Sequence, residues 1–447
     1  MQDRIWLRFL LVAAVTATGC YKDNPLYCAG HPGDPTCPDG IPAMSCTSNA
    51  QCMAPTAVCD GTGTRTCVQC TTSEPAACAG VTPVCGPDHT CQGCTAHTQC
   101  GSNACLPDGS CGDDGQVAYV ANPGGTDNAS CTKAMPCTKL QKALDMGRPY
   151  VKLTGATDEG GTVVIDSRDI TLLADPGAKL VRTSNGIVLE VKGTSQVAIY
   201  DLEISGGSGP QGVGISLPTG NTASLSLTRA NAENNTGGGI SSTGGAVTVT
   251  QSTIAGNTGG GISSTGGSLT VTRSTISGNQ GGGISAMNGT FVIVGNVFFG
   301  NGSGTATTGG IHVLTSQSAA NRLDFNTLSR NLVADTLASG IQCTAGSFTA
   351  SNNIVYDNGT GTNLVQVAGS CQHAFSDIGP MGVAGGTGNL DTSPMFLDEA
   401  NGDLHVGGAS PVRGLADPGA NLTDLAAQDI DGDRRGRPAD IGADEVP

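Results

Sequence analysis

The stretch Thr236-Gly-Gly-Gly-Ile-Ser-Ser-Thr-Gly-Gly245 recurs residue for residue as 258–267, and a third copy opens at Gly281-Gly-Gly-Ile284. Ile240, Ile262 and Ile284 are therefore spaced 22 residues apart. The other end of the unit repeats as well, as Ser252-Thr-Ile-Ala-Gly-Asn257, Ser274-Thr-Ile-Ser-Gly-Asn279 and Asn296-Val-Phe-Phe-Gly-Asn301. Looser copies end at Asn235, Asn331 and Asn358, and looser starts sit at Ile187, Ile215, Ile311 and Ile341. Inside each unit, Val247-Thr-Val249 and Leu269-Thr-Val271 alternate apolar and polar, the period of a strand with one buried side. Aligned on the terminal Asn, the units stack apolar residues in two columns: Ile254, Ile276, Phe298, Leu328, Val355 and Leu227, Val249, Val271, Ile293, Leu323. No single unit can bury its own apolar side. Only a neighbour in a stack can cover it.

A hexapeptide solenoid needs a period of six, and a propeller blade needs roughly 40 residues. A period of 22 fits one turn of an all-β right-handed parallel β-helix. The repeat is similar to the pectin-lyase-like proteins of that fold. The resemblance implies that Asn235, Asn257, Asn279, Asn301, Asn331 and Asn358 form a stacked asparagine ladder, since Asn tolerates left-handed turns and its amide can bond along the stack. The body is expected over 116–385, in eight to ten coils. At its entry, Thr138 is expected to cap a short helix presenting Leu140, Ala143 and Leu144, which plugs the first coil. Cys131 with Cys137, and Cys343 with Cys371 one coil later, are spaced for disulfides.

Fourteen of the 19 cysteines lie between Cys28 and Cys111. From Cys46 they form three four-Cys groups across 46–112: Cys46, Cys52, Cys59, Cys67; Cys70, Cys78, Cys85, Cys91; and Cys94, Cys100, Cys105, Cys111. Cys28 and Cys37 form a further expected pair. Units this short need cross-links rather than a core, and their isolated His31, His89 and His97 do not suit zinc. The groups resemble the short Cys-rich repeats of bacterial surface proteins, which leaves the pairing within each open.

At the start, Phe9-Leu-Leu-Val-Ala-Ala-Val-Thr-Ala17 is about half the length of a bilayer span and follows Arg4 and Arg8. With Ala17-Thr-Gly-Cys20 it resembles a bacterial lipoprotein signal, 1–19. The resemblance implies lipid on Cys20, a linker over 20–45, and the outer membrane of a diderm bacterium as location. The remaining 18 cysteines then make an even number, as an oxidising compartment requires. At the other end, residues 386–447 carry Ser393-Pro-Met-Phe396, Gly402-Asp-Leu-His405, Asp429-Ile-Asp-Gly-Asp-Arg-Arg435 and Asp440-Ile-Gly-Ala-Asp-Glu445. In this order they resemble the choice-of-anchor Q domain of bacterial surface proteins.

The net charge of −16, without a Lys/Arg cluster, excludes nucleic acid as a partner. Glycoside hydrolysis needs paired carboxylates, yet 237–320 hold no Asp or Glu, only Arg273 among cations, and only His312 among histidines. The expected function is therefore a non-catalytic surface lipoprotein meeting a carbohydrate or envelope component, with Thr248/Thr270 and Thr250/Thr272 as outward hydroxyl columns. The alternative is a polysaccharide lyase or glycoside hydrolase whose site lies among Asp324, Asp335 and Asp357. Asp201 with Glu203 are expected to face outward together, Arg330 to pair with Asp357, and Arg435 to bond Asp440 or Glu445 over the last coil. Asp429, Asp431 and Asp433 resemble the start of a calcium loop, but Arg434 occupies the position where such a loop needs Gly. No cofactor is expected otherwise.

Overall fold

The computed structural model describes residues 46–446 apart from 62–64, 75–76, 221, 315–320, 335–336, 362 and 381–384. The expected signal peptide, Cys20, Cys28, Cys37, the linker and Asp335 lie outside the described residues. The chain divides into two compact units, Met1–Cys111 and Gly112–Pro447.

In the first unit every four-Cys group is bonded first to third and second to fourth: Cys46–Cys59 and Cys52–Cys67, Cys70–Cys85 and Cys78–Cys91, Cys94–Cys105 and Cys100–Cys111. Each group folds as a small antiparallel hairpin, as Val58–Cys59 with Cys67–Val68 and Val84–Cys85 with Cys91–Gln92 illustrate.

The second unit is a parallel β-solenoid. A coil consists of three strands on three faces, as in Gly238–Thr243, Ala246–Thr250 and Thr253–Ala255, followed one coil on by Ile262–Thr265, Ser268–Thr272 and Thr275–Ser277. The first face is a nine-stranded sheet. Its inward column runs Val163, Leu189, Ile215, Ile240, Ile262, Ile284, Ile311, Ile341, Val367. Leu189, not Ile187, fills the second place. The other two columns run as their repeats suggest: Leu227 to Val249, Val271, Ile293 and Leu323, and Ile254 to Ile276, Phe298, Leu328 and Val355. These side chains form one continuous core. At about 4.8 Å per coil, the stack extends roughly 40 Å.

At the corner after the third face, Asn235, Asn257, Asn279, Asn301, Asn331 and Asn358 are buried and joined one to the next. Each donates its backbone N–H and side-chain amide to the Oδ1 of the following Asn, and Gln366 closes the row. A second row runs five residues earlier through Ser252, Ser274, Asn296, Asn326, Asn353 and Ser376. Beside the ladder, the Gly-Gly-Gly turns approach so closely that a Cβ on Gly239 would lie 2.7 Å from the Gly261 carbonyl oxygen, and one on Gly261 2.5 Å from that of Gly283. Only glycine fits there.

The entry helix, α1 (Leu140–Leu144), seals the first coil with Leu140, Ala143 and Leu144 fully buried. Its N-cap is Lys139, not Thr138, whose hydroxyl is held instead by Asp127. The Glu159 carboxylate caps the helix from outside it, accepting the N–H groups of Leu140 and Gln141. Cys131–Cys137 and Cys343–Cys371 are both bonded.

The C-terminal segment packs along the flank of the later coils rather than over the last one. Val406, Val412, Leu422, Ala439 and Ile441 form a second core with Val294, Phe325 and Ile354 of the solenoid. The reason lies in the outward positions. Where earlier coils carry Thr228, Thr250 and Thr272, the next in register is Val294. The cap buries that apolar strip and Thr272 with it. Leu390 extends the last coil through a parallel bridge to Asp377 and packs against the second core.

Candidate functional site

Where the cap lies against the solenoid it leaves a groove of about 320 Å³. Ser252, Thr253, Arg273 and Thr275 line one wall, and His405, Asp431 and Asp444 the other. His405 stands on the strand Asp403–Val406, which pairs antiparallel with Phe396–Asp398. Asp431 sits in a tight turn. Asp429, fully buried, builds that turn by accepting the N–H groups of Asp431 (3.1 Å) and Asp433 (2.7 Å) on one oxygen and that of Glu445 (3.1 Å) on the other. Asp444 is held by the Val406 N–H, 2.8 Å from its Oδ2. Arg435 anchors the C-terminal arm from below: its guanidinium donates to the carbonyls of Gly442 and Ala443, lies 3.5 Å from Glu445 Oε2, and stacks 4.5 Å over Phe325. Glu445, not Asp440, is its carboxylate partner. Asp440 accepts the N–H groups of Gly414 and Val446.

The imidazole of His405 is gripped from both ends. Nδ1 is 2.6 Å from Asp403 Oδ1, and Nε2 is 3.0 Å from Asp431 Oδ2. The second approach is close but not aligned for a hydrogen bond, so Nε2 is a buried nitrogen without one. Burial disfavours the charged ring, but the Asp403 hydrogen bond and the charges of Asp444, Asp431 and Asp403 outweigh it, so the pKa of His405 is raised. The same hydrogen bond holds Asp403 below the ordinary carboxylate range. Burial pushes Asp444 up, with Asp429 and Asp431 adding to it against the Val406 N–H.

Asp429, Asp431 and Asp433 do not converge on one point: Asp429 is occupied by backbone N–H groups and Asp431 turns to His405. Asp201 is a left-handed corner residue bonded through both oxygens to Arg229, while Glu203 meets Lys179 at 2.5 Å. The two are ion-pair partners of neighbouring coils and not a joint site. Arg330 pairs with Glu399 of the cap, 3.7 Å away, and not with Asp357. Asp324 is an ion-pair partner: Arg322 meets it through Nε at 3.1 Å and reaches Asp424 of the cap through Nη1 at 2.8 Å. Burial raises its pKa, against the pull of Arg322. The Thr250 and Thr272 hydroxyls are 3.2 Å apart, as their column requires, but Thr272 is covered. The cysteine groups of the first unit are all consumed in disulfides. His405, Asp403 and Asp444 escaped the sequence reading although Gly402-Asp-Leu-His405 and Asp440-Ile-Gly-Ala-Asp-Glu445 stood out as segments. The alternation Asp403-Leu-His405 placed both polar side chains on one side of a strand, and that was the available signal. Among the described residues no helix is long and apolar enough to cross a membrane.

The family model described as "Right handed beta helix region" matches residues 185–331 and 221–375. Among solved structures, the crystal structure of pectate lyase Pel9A resembles the chain at 14% identity and a TM-score of 0.46, covering 74% of this chain and 96% of that one. No curated protein matches it. The coil geometry and the family match together identify the body of the chain as a right-handed parallel β-helix.

Proposed function

We propose that the chain is a non-catalytic, lipid-anchored surface protein of a diderm bacterium, its β-helix displayed on the disulfide module for contact with a glycan or envelope component. Cys20 is the anchor in this reading, the 46–112 repeats are a spacer, and 386–447 is a choice-of-anchor Q-like cap. The observation that carries it is the outward side of the first face. Ser216, Ser241, Ser263 and Ser285 stand in register there at the coil spacing, followed by His312 and Gln342. Such a row of short hydroxyls offers hydrogen bonds without the charge or carboxylate pair that bond cleavage requires. A glycan array probed with residues 21–447, with reducing-end release followed on every hit, tests it. Binding without product is expected, weakened at least tenfold by Ser263→Arg, which places a bulky cation across the row. New reducing ends, abolished by Asp324→Asn or Asp357→Asn, would overturn the reading in favour of a lyase or hydrolase.

A further inference from the structure

The ligand atoms of His405, Asp431 and Asp444 all lie within 4.8 Å of one another. Two donors of a metal bound at about 2.0–2.2 Å are themselves separated by roughly 3–3.5 Å, and His405 Nε2 is 3.0 Å from Asp431 Oδ2. The surroundings are those of a coordinating imidazole. Nδ1 donates to a carboxylate, Asp403, which fixes the tautomer and turns the lone pair of Nε2 toward the other two residues. Nε2 itself is buried and makes no hydrogen bond, although a nitrogen in that position would ordinarily find a donor. The two acidic residues are each held in place: Asp431 through its backbone N–H by the Asp429 turn, and the Asp444 carboxylate by the N–H of Val406, the residue after His405. Without a cation, three carboxylates surround one ring.

We propose that His405, Asp431 and Asp444 bind one divalent transition-metal ion, with Asp403 as the positioning residue behind the imidazole. Zn²⁺ suits the set best. One imidazole and two carboxylates match its preferences, whereas Ca²⁺ takes six to eight oxygens and Mg²⁺ keeps an octahedral shell rich in water. Three protein ligands leave a position open toward the groove between cap and solenoid. The ion would add a further tie between the strand Asp403–Val406, the turn at 429–433 and the C-terminal arm, which the Val406–Asp444 and Glu445–Asp429 hydrogen bonds already join. This site is independent of the glycan-contact reading, and its test does not use a glycan.

The experiment is a titration of tag-free, oxidised, chelator-treated residues 21–447 with Zn²⁺ by calorimetry, and with Co²⁺ by visible absorption. Disulfides must stay intact so that thiols do not compete. One equivalent per chain is expected, with d–d bands for Co²⁺ and no displacement by excess Ca²⁺. His405→Gln and Asp431→Asn should each lower affinity at least tenfold and abolish the Co²⁺ bands. Asp403→Asn should weaken binding while leaving the bands in place, and Asp433→Asn should change nothing. Circular dichroism and thermal melts of the metal-free variants establish that each is folded. Absence of binding by the parent chain, or equal binding by folded His405→Gln and Asp431→Asn, overturns the proposal.

Discussion

His373 and Asp377 lie four residues apart in the last coil, both buried and both short of a hydrogen-bond partner, at Nδ1 and Oδ2 respectively. Burial depresses the imidazole from 6.5 to about 4 and raises the carboxyl from 3.8 to about 6. Each shift is worth about 3 kcal/mol of pH-dependent stability, and the signs oppose. For His373 the unfolded chain binds a proton that the native chain refuses, so stability is lost as pH falls from 6.5 toward 4. For Asp377 the native chain keeps a proton that the unfolded chain has released, so stability is lost as pH rises from 3.8 through 6. Between pH 4 and 6 the two slopes largely cancel. Asp377→Asn, which keeps the acceptor for the Thr392 N–H, removes one of them. Thermal midpoints of that variant should climb steadily from pH 4 to pH 6.5, where the parent is flat by comparison; a flat variant profile would rule the opposition out. Neither residue was marked by the sequence, because nothing in a repeat unit announces that a polar side chain has been turned inward.

Each member of the asparagine row is fully engaged. Asn279, with no exposed surface, accepts from the N–H and side chain of Asn257 and donates to the Ile254 carbonyl (2.9 Å) and to Asn301 Oδ1 (2.9 Å). Asn279→Asp replaces both donors with acceptors in a buried place already facing oxygens. It should cost about 3 kcal/mol or more, seen as a lower thermal midpoint, whereas Asn→Asp at exposed Asn288 should leave the midpoint within a few tenths of a kcal/mol. The row was legible because its spacing is periodic and local. The second row, from Ser252 to Ser376, keeps the same coil spacing, five residues before the ladder positions. It was hidden by its changing residue type, Ser in the early coils and Asn in the later ones. The helix α1 shows the limit of local signals. Its apolar positions are written in the sequence, but its cap, Glu159, comes from beyond the following strand and could not be read from the helix itself.

At the scale of the whole second unit, the division between what could and could not be read follows contact distance. Coil pairs are about 22 residues apart and repeat, so registers could be aligned without a structure. The groove is assembled from 251–253, 273, 275, 297, 402, 404–405, 430–431 and 443–444, which meet only because the cap lies along the flank. The clue to that placement was the change of an outward column from Thr to Val294, a single position against a background of identical repeats. The same architecture makes a prediction about length. Duplicating residues 236–257 inserts one coil whose registers match on both sides, since Ile240 and Ile262, Val249 and Val271, and Ile254 and Ile276 are already partners. The product should fold with a parent-like thermal midpoint and a rod longer by about 4.8 Å in small-angle scattering. An aggregated or broadly melting product would show that the coils are not interchangeable.

The position of the cap gives that modularity a direction. Its footprint begins near Arg273, which donates to Gln428, and ends near Asn352, which accepts from the Asp417 N–H. The near-identical coils, 236–257 and 258–279, stand at its leading edge and carry the solenoid wall of the groove. A copy of 236–257 inserted ahead of them increases the distance from entrance to groove, while every residue lining the groove keeps its neighbours. Reach and recognition are therefore separate variables in this chain, and selection can adjust the first by copying a short stretch of DNA without disturbing the second.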